Sequence, residues 1–180
     1  MQDEESIVRA AQKGDSDAFS MLYEGHFDKV YRYMSLRVGD RAEAEDMTQQ
    51  VFVKAFEALP AFKWRGAPFA SWLFRIAHNQ VVDRQRRRGK QVTTSLEEVT
   101  AVSGDDPEGM VETRMSVEQV VAATRRLTPA QREVIGLRFG AEMSTSEVAR
   151  VMGKSEGAVK ALQHSAVVAL RKVLMRDDDG

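Results

Sequence analysis

Apolar positions recur at spacings of three and four along most of the chain, the mark of amphipathic helices. A first short helix is expected from about Asp3 to Lys13, stopping at Gly14. A second begins after Asp15-Ser16, carries Phe19, Leu22, Tyr23, Phe27, Val30, Tyr31, Met34 and Val38, and meets Gly39. Asp40 is placed to cap a third, with Glu43 three positions on as in a capping box. Its apolar stripe is Ala44, Met47, Val51, Ala55 and Leu59, and Pro60 ends it. After a loop over 61–67, Pro68 opens a fourth helix. Phe69, Trp72, Leu73, Ile76 and Ala77 are expected to face a core, and the helix runs out in the basic stretch from Arg84 to Lys90.

From Gln91 to Pro107 the periodicity fails, and a Ser-, Thr-, Gly- and acid-rich stretch reads as a linker. A helix resumes near Glu108 and reaches Arg126. Thr128-Pro129-Ala130-Gln131 combines a cap, a first-turn proline and a capping-box glutamine, opening a helix that ends at Gly140. Ser144 and Glu147 form a second box, Gly153 stops that helix, and Ser155 caps the last. No strand alternation competes. The expected fold is all-α: two small helical domains, 1–90 and 107–176, joined by a flexible linker at 91–106, the second a helix-turn-helix. Few apolar residues remain to form an interface, so the domains are expected to move independently.

Composition narrows the setting. The chain has 180 residues, 43% of them hydrophobic, and no cysteine. That excludes disulfides and cysteine-based zinc sites and suits a reducing compartment. An acidic start with no apolar run behind it argues against a signal peptide. No stretch approaches the roughly 20 apolar residues of a membrane helix, so a cytoplasmic chain with no membrane insertion is expected. The net charge of −1 conceals an alternation. Residues 41–90 hold 10 basic and 5 acidic side chains, residues 91–118 hold 1 and 7, and residues 119–176 hold 10 and 4. Two basic blocks flank an acidic one, which fits two polyanion-binding surfaces; ordinary solvated charge is the alternative.

The segment from Thr145 to His164 has the spacing of a helix-turn-helix. Ala149 is small where the helices approach, and Gly153 permits a left-handed turn. Val159 and Leu162 would meet Val148 and Met152 inside. At about 100° per residue, Gly157, Lys160, Ala161 and His164 share the outer side, with Arg171 below them. With Ser155 at the start, these are the residues that could enter a major groove. A plain helical hairpin is the alternative. The third helix bears a polar stripe of Glu43, Asp46, Gln50 and Lys54, with Gln49 beside it. Phe52, Val53 and Phe56 are not all accommodated by the inward stripe, which leaves apolar surface for a partner.

Three motifs together resemble a known family. The run from Glu45 to Phe56 resembles the core-polymerase-binding helix of bacterial sigma factors. Phe69 to Asn79, followed by Asp83-Arg84-Gln85-Arg86-Arg87, resembles their promoter-melting helix. Leu127 to Val134, followed by the helix-turn-helix, resembles their C-terminal domain. A short chain with only these parts is similar to the extracytoplasmic-function group, from about Ser6 to Leu174.

The resemblance implies a role without catalysis, cofactor or metal. It implies binding to core RNA polymerase, on the clamp of the largest subunit through Asp46, Gln49, Gln50, Phe52 and Lys54, and on the flap of the second. It implies that the first domain opens the minus-ten element through Phe62, Lys63, Trp64, Arg65, Asn79, Arg84, Arg86, Arg87 and Arg88. The loop from Phe62 to Ala67 and Asn79 would together hold one unpaired base, by stacking and by hydrogen bonds to its edge. The second domain would read the minus-thirty-five duplex through Ser155, Gly157, Lys160, Ala161, His164 and Arg171. An anti-sigma factor is the other implied partner. Gln50 stands where the family usually has Glu, and Gln163-His164-Ser165 is less basic than in many relatives.

A helix-turn-helix repressor or activator with a helical sensor domain is the alternative; it would bind its operator without polymerase, usually as a dimer. No phosphate loop or nucleophile elbow is present, and His26, His78 and His164 stand far apart.

Overall fold

The computed structural model describes residues 3–92 and 116–178. The expected linker from Thr93 onward, and the helix start expected near Glu108, lie outside the described residues. Eight α-helices are described: α1 (Glu4–Gln12), α2 (Ser16–Val38), α3 (Arg41–Ala58), α4 (Phe69–Val92), α5 (Val117–Thr124), α6 (Pro129–Ile135), α7 (Thr145–Met152) and α8 (Glu156–Asp178).

Their ends follow local chemistry. Asp3, Asp15 and Asp40 accept backbone N–H bonds at the starts of α1, α2 and α3. Gly39 ends α2 with φ +77°, in the left-handed region where glycine carries no Cβ penalty. The boxes Thr128–Gln131 and Ser144–Glu147 are reciprocal, as the sequence predicts, and Ser116–Gln119 adds a third at α5. The expected box at α3 is half made. Asp40 caps, but the Glu43 side chain turns away to Arg84.

The first half is a bundle. α2 lies against α1, α3 and α4, burying Leu22, Val30, Met34, Val51, Ala55, Leu73 and Phe74. Phe69 is 1% exposed at the start of α4, with the rings of His26, Phe62 and Trp72 around it at 5.4, 6.0 and 5.4 Å. It therefore seats both α4 and the loop before it.

The second half does not stand apart. α6 and a π-type turn at Gly136–Gly140 pack on α2, and α7 packs on α4. Val134, Leu137, Val148 and Val159 join the same core as Tyr33 and Phe74. The sequence offers little sign of this, because the apolar residues that make the contact, such as Val134, Leu137 and Val148, also fit the inner faces of a separate helical domain. Gly136 and Gly140 let the backbone reach α2: a Cβ at Gly136 would stand 2.9 Å from the Tyr33 ring, and one at Gly140 3.1 Å from Tyr33 backbone. The expectation of two halves with little interface is thus corrected.

Removing Phe69 should leave a large void under the loop. Phe69→Ala is expected to cost about 3–5 kcal/mol of unfolding free energy, measured by urea denaturation. A loss below about 1 kcal/mol would show that the site collapses or that the ring is not central.

Candidate functional site

Three surfaces collect the sequence-predicted residues. On α3, Asp46 accepts a hydrogen bond from Gln50 Nε2 at 2.9 Å, one turn on. Gln49 donates to the Tyr23 hydroxyl at 3.1 Å. Both amides are exposed, Gln49 on the side of α3 toward α2 and Gln50 beside Lys54 in the cleft with α4. Phe52 does not belong to this exposed face. It is 4% exposed and packs on Tyr23 and Phe27, with ring centroids at 4.7 and 6.2 Å. The exposed apolar groups are its neighbours Val53 and Phe56, at 56% and 59% exposure. The sequence signal for them was the surplus of apolar residues over one helix stripe. Which of the three turned inward depended on α2, which supplies Tyr23 and Phe27.

In the cleft that Asp46, Gln50 and Lys54 also line, Glu43 receives a two-pronged ion pair from Arg84 of α4, and Arg88 Nη2 adds a third contact at 3.3 Å. The basic run is therefore split. Arg84 is half-buried and ties α4 to α3, while Arg86 and Arg87 are exposed. Arg84 is not available to a phosphate while Glu43 holds it. The Arg84 hydrogen bond pulls the Glu43 carboxyl below its ordinary 4.5, against a smaller opposing push from burial.

The loop before α4 is tied down. Gln12 Nε2 donates to the carbonyls of Phe62 and Leu59 at 2.6 and 3.0 Å. Phe62 packs inward on Trp72 at 4.8 Å, and Trp64 meets its edge at 6.2 Å; both rings are half-buried. Lys63 and Arg65 point outward. The loop lines one cleft with Ser71, Trp72, Arg75 and Arg150. Asn79 is exposed and lines a different cleft, with Lys54, Glu57, Ile76 and Asp83. The loop does not fold back over the helix, so the two parts expected to form one pocket are not brought together.

The helix-turn-helix forms as read. Gly153 turns with φ +64°, and Ser155 Oγ accepts from Ala158 N at 3.2 Å at the start of α8. Val159 is buried, while Gly157, Lys160, Ala161, His164 and Arg171 are exposed along one side. A Cβ at Gly157 would meet only Ser155 Oγ, at 4.0 Å. Packing therefore does not require glycine there; the outer face is simply open.

These parts, in this order, match known families on sequence. Residues 22–91 match Sigma-70 region 2 and residues 124–172 match Sigma-70, region 4. SigD of Mycobacterium tuberculosis (strain ATCC 25618 / H37Rv), an ECF RNA polymerase sigma factor, is 32% identical over 183 residues, covering 97% of this chain and 85% of SigD. The chain belongs to the ECF RNA polymerase sigma factors. BldN of Streptomyces coelicolor, from the same family, is 41% identical over 174 residues; the match covers 95% of this chain but 66% of BldN. CnrH, solved in complex with the cytosolic domain of CnrY, shares the fold with a TM-score of 0.71 at 26% identity, over 95% of this chain and 96% of CnrH. Sigma factors are initiation factors without enzymatic activity, and the rival reading as a repressor or activator with a sensor domain is not favoured. Among the described residues no helix is long and apolar enough to cross a membrane.

What sequence reasoning missed in this sigma factor lies between its halves. Glu133 of α6, 2% exposed, enters a gap between α2 and α4. Its carboxylate stands 2.7 Å from Arg37 Nε, 2.8 Å from His78 Nδ1, and 2.9 and 2.8 Å from the Tyr33 hydroxyl. Burial and the nearby carboxylate push the Tyr33 hydroxyl well up, so it remains a donor at neutral pH. Nearby, Arg132 donates to the Arg37 carbonyl at 2.7 Å, and Arg125 to the Gly39 carbonyl. Burial first, then the charges of Arg37, Arg84 and Arg125, bring Arg132 down to about 10, still cationic at neutral pH.

Glu43 supplies a signed test. A folded-state pKa below the unfolded one gives stability that is present above the unfolded value and lost as pH falls through the folded one. The thermal midpoint of the wild type should therefore fall below pH 4.5 more steeply than that of Glu43→Gln, whose midpoint at pH 7 is lower. Parallel curves in differential scanning calorimetry would remove Glu43 from the account.

Proposed function

We propose that the chain directs core RNA polymerase to promoters, with one half opening the minus-ten element and the other reading the minus-thirty-five element. The observation that carries this is the co-occurrence, on one chain, of an exposed amide-and-apolar face on α3, an aromatic-basic loop before a basic helix, and an open outer face on α8. The polymerase clamp takes Asp46, Gln49, Gln50 and Lys54, with Val53 and Phe56 supplying the apolar part that Phe52 cannot. The second polymerase subunit's flap takes the second half.

At the minus-ten element, Lys63, Arg65, Arg86, Arg87 and Arg88 neutralise phosphates. Trp64, whose ring meets only that of Phe62 while Phe62 also packs on Phe69 and Trp72, is the better stacking surface for an unpaired base. Asn79 reads a base edge separately, from its own cleft beside α3. At the minus-thirty-five element, Lys160 and His164 approach base edges or phosphates, Gly157 and Ala161 allow close approach, and Ser155 and Arg171 flank them. The protein acts in the cytoplasm, where polymerase and promoter are. An anti-sigma protein is the expected regulator, and the similar CnrH was solved in complex with the cytosolic domain of another protein, CnrY; because the chain has no cysteine, any thiol switch lies on that partner.

Run-off transcription with purified core polymerase tests this reading. Specific initiation should depend on the chain. Val53→Asp with Phe56→Asp should weaken capture of core polymerase at least ten-fold, about 1.4 kcal/mol, while Phe52→Asp should instead unfold the first half. Lys160→Ala should cost about 1–3 kcal/mol at one base position if it reads a base. If it touches a phosphate, the loss should be uniform and the salt slope lower by about one. Initiation that is unchanged without the chain, or repression by the chain alone, would reject the proposal.

A further inference from the structure

Helix α1 carries none of the residues assigned above to polymerase or DNA, yet it holds both ends of the aromatic loop. At its C-terminal end, Gln12 Nε2 donates to the carbonyls of Leu59 and Phe62 at 3.0 and 2.6 Å, where the chain leaves α3. At its N-terminal end, one Glu4 carboxylate oxygen accepts from Phe69 N at 3.3 Å, where the loop enters α4. The other oxygen stands 3.4 Å from His26 Nε2, and the His26 ring lies against that of Phe69. We propose that Gln12 and Glu4 are positioning residues for promoter opening: α1 braces the loop and so fixes where Trp64 meets an unpaired base. The inference rests on the stacking role given to Trp64 above.

Each contact meets a need that the loop does not meet itself. Pro68 stands just ahead of α4 and has no side-chain acceptor for the free N–H groups of that helix. Glu4 supplies one from another helix, and its negative charge suits the positive end of the α4 dipole. At the other end, the Leu59 carbonyl also accepts from Phe62 N at 3.0 Å, so the Gln12 amide closes over a single turn. Glu4 and Gln12 are the first and last residues of α1, roughly 12 Å apart along its axis at about 1.5 Å per residue. Val8 and Ala11 bury the inner side of α1 in the core against α2, so the strut is itself anchored.

Between the two ends the tip is open. Lys63, Arg65 and Gly66 are exposed, and a Cβ at Gly66 would meet nothing within 4 Å. The tip is therefore set by its ends, and Phe62, held through its carbonyl, carries the edge of Trp64 at 6.2 Å. Without the brace the loop samples more arrangements, and fewer of them present Trp64 to a base as it unstacks. A contact made only with melted DNA acts on the opening step, not on capture of polymerase or of closed promoter.

The test uses the full chain on core polymerase, at saturating holoenzyme, with one promoter as duplex and the same promoter pre-melted across the minus-ten element. Gln12→Met keeps the side-chain volume and removes the donor. It should slow opening of the duplex about tenfold and leave initiation on the pre-melted template unchanged. Glu4→Ala should act likewise, while Glu4→Gln, which keeps an acceptor, should match the wild type. Joined to Trp64→Ala, Gln12→Met should add no further loss, because it acts through that ring. Hydrogen exchange on the free chains is the second readout. The Phe62 amide in Gln12→Met and the Phe69 amide in Glu4→Ala should exchange faster, with helical circular dichroism retained. Equal losses on both templates, or full additivity with Trp64→Ala, would mean that α1 only stabilises the fold, and would overturn the positioning role. Unchanged exchange in both variants overturns the brace whatever transcription shows. Failure of the underlying reading looks different: Trp64→Ala then opens the duplex at the wild-type rate. The stacking role falls in that case, and exchange alone decides whether α1 holds the loop.

Discussion

A buried carboxylate needs compensation, and the position of Glu133 constrains much of the rest of this molecule. Stripped of water, it is held by Arg37, His78 and Tyr33 from the other half of the chain. Such pairs gain little over an apolar contact, but removing one partner strands a charge at a cost of about 3–5 kcal/mol. The geometry tolerates little substitution around it. Position 136 must be small because Tyr33 occupies the space a Cβ would take. The end of α2 must offer free carbonyls, where the negative end of the helix dipole favours Arg125 and Arg132.

The surfaces proposed to be functional are arranged around that contact, not through it. The exposed face of α3 points away with its amides and two exposed apolar side chains, and the outer face of α8 is open. Between them, the start of α4 is shared. Phe69 and Trp72 anchor the aromatic loop from below, and Arg75 reaches to α7. A single helix thus carries loop support, a tie to the helix-turn-helix and a basic tail. That tail is split: Arg84 is held by Glu43 and ties the bundle, while Arg86 and Arg87 are open to solvent.

Local signals in the sequence were sufficient for local structure. Asp15, Thr128 and Ser144 cap where their spacing says they should, because a cap depends on residues within four positions. Gly153 and Val159 fall where a helix-turn-helix needs them for the same reason. Long-range choices were not legible. Whether Phe52 or Val53 turns inward depends on Tyr23 and Phe27, one helix away. Whether Arg84 is a phosphate ligand or a clamp depends on Glu43, 41 positions earlier. Glu133 follows Gln131-Arg132 as one more polar residue of a helix and signals nothing by itself, since its partner Tyr33 is 100 positions away.

Small-angle scattering on the free chain addresses the central claim most directly, because the contact between the halves sets molecular size. The account predicts a single concentration-independent profile with a radius of gyration near 16 Å, the value for a compact chain of 180 residues. A radius well above 20 Å, with the paired maxima of two separated bodies in the distance distribution, would contradict it.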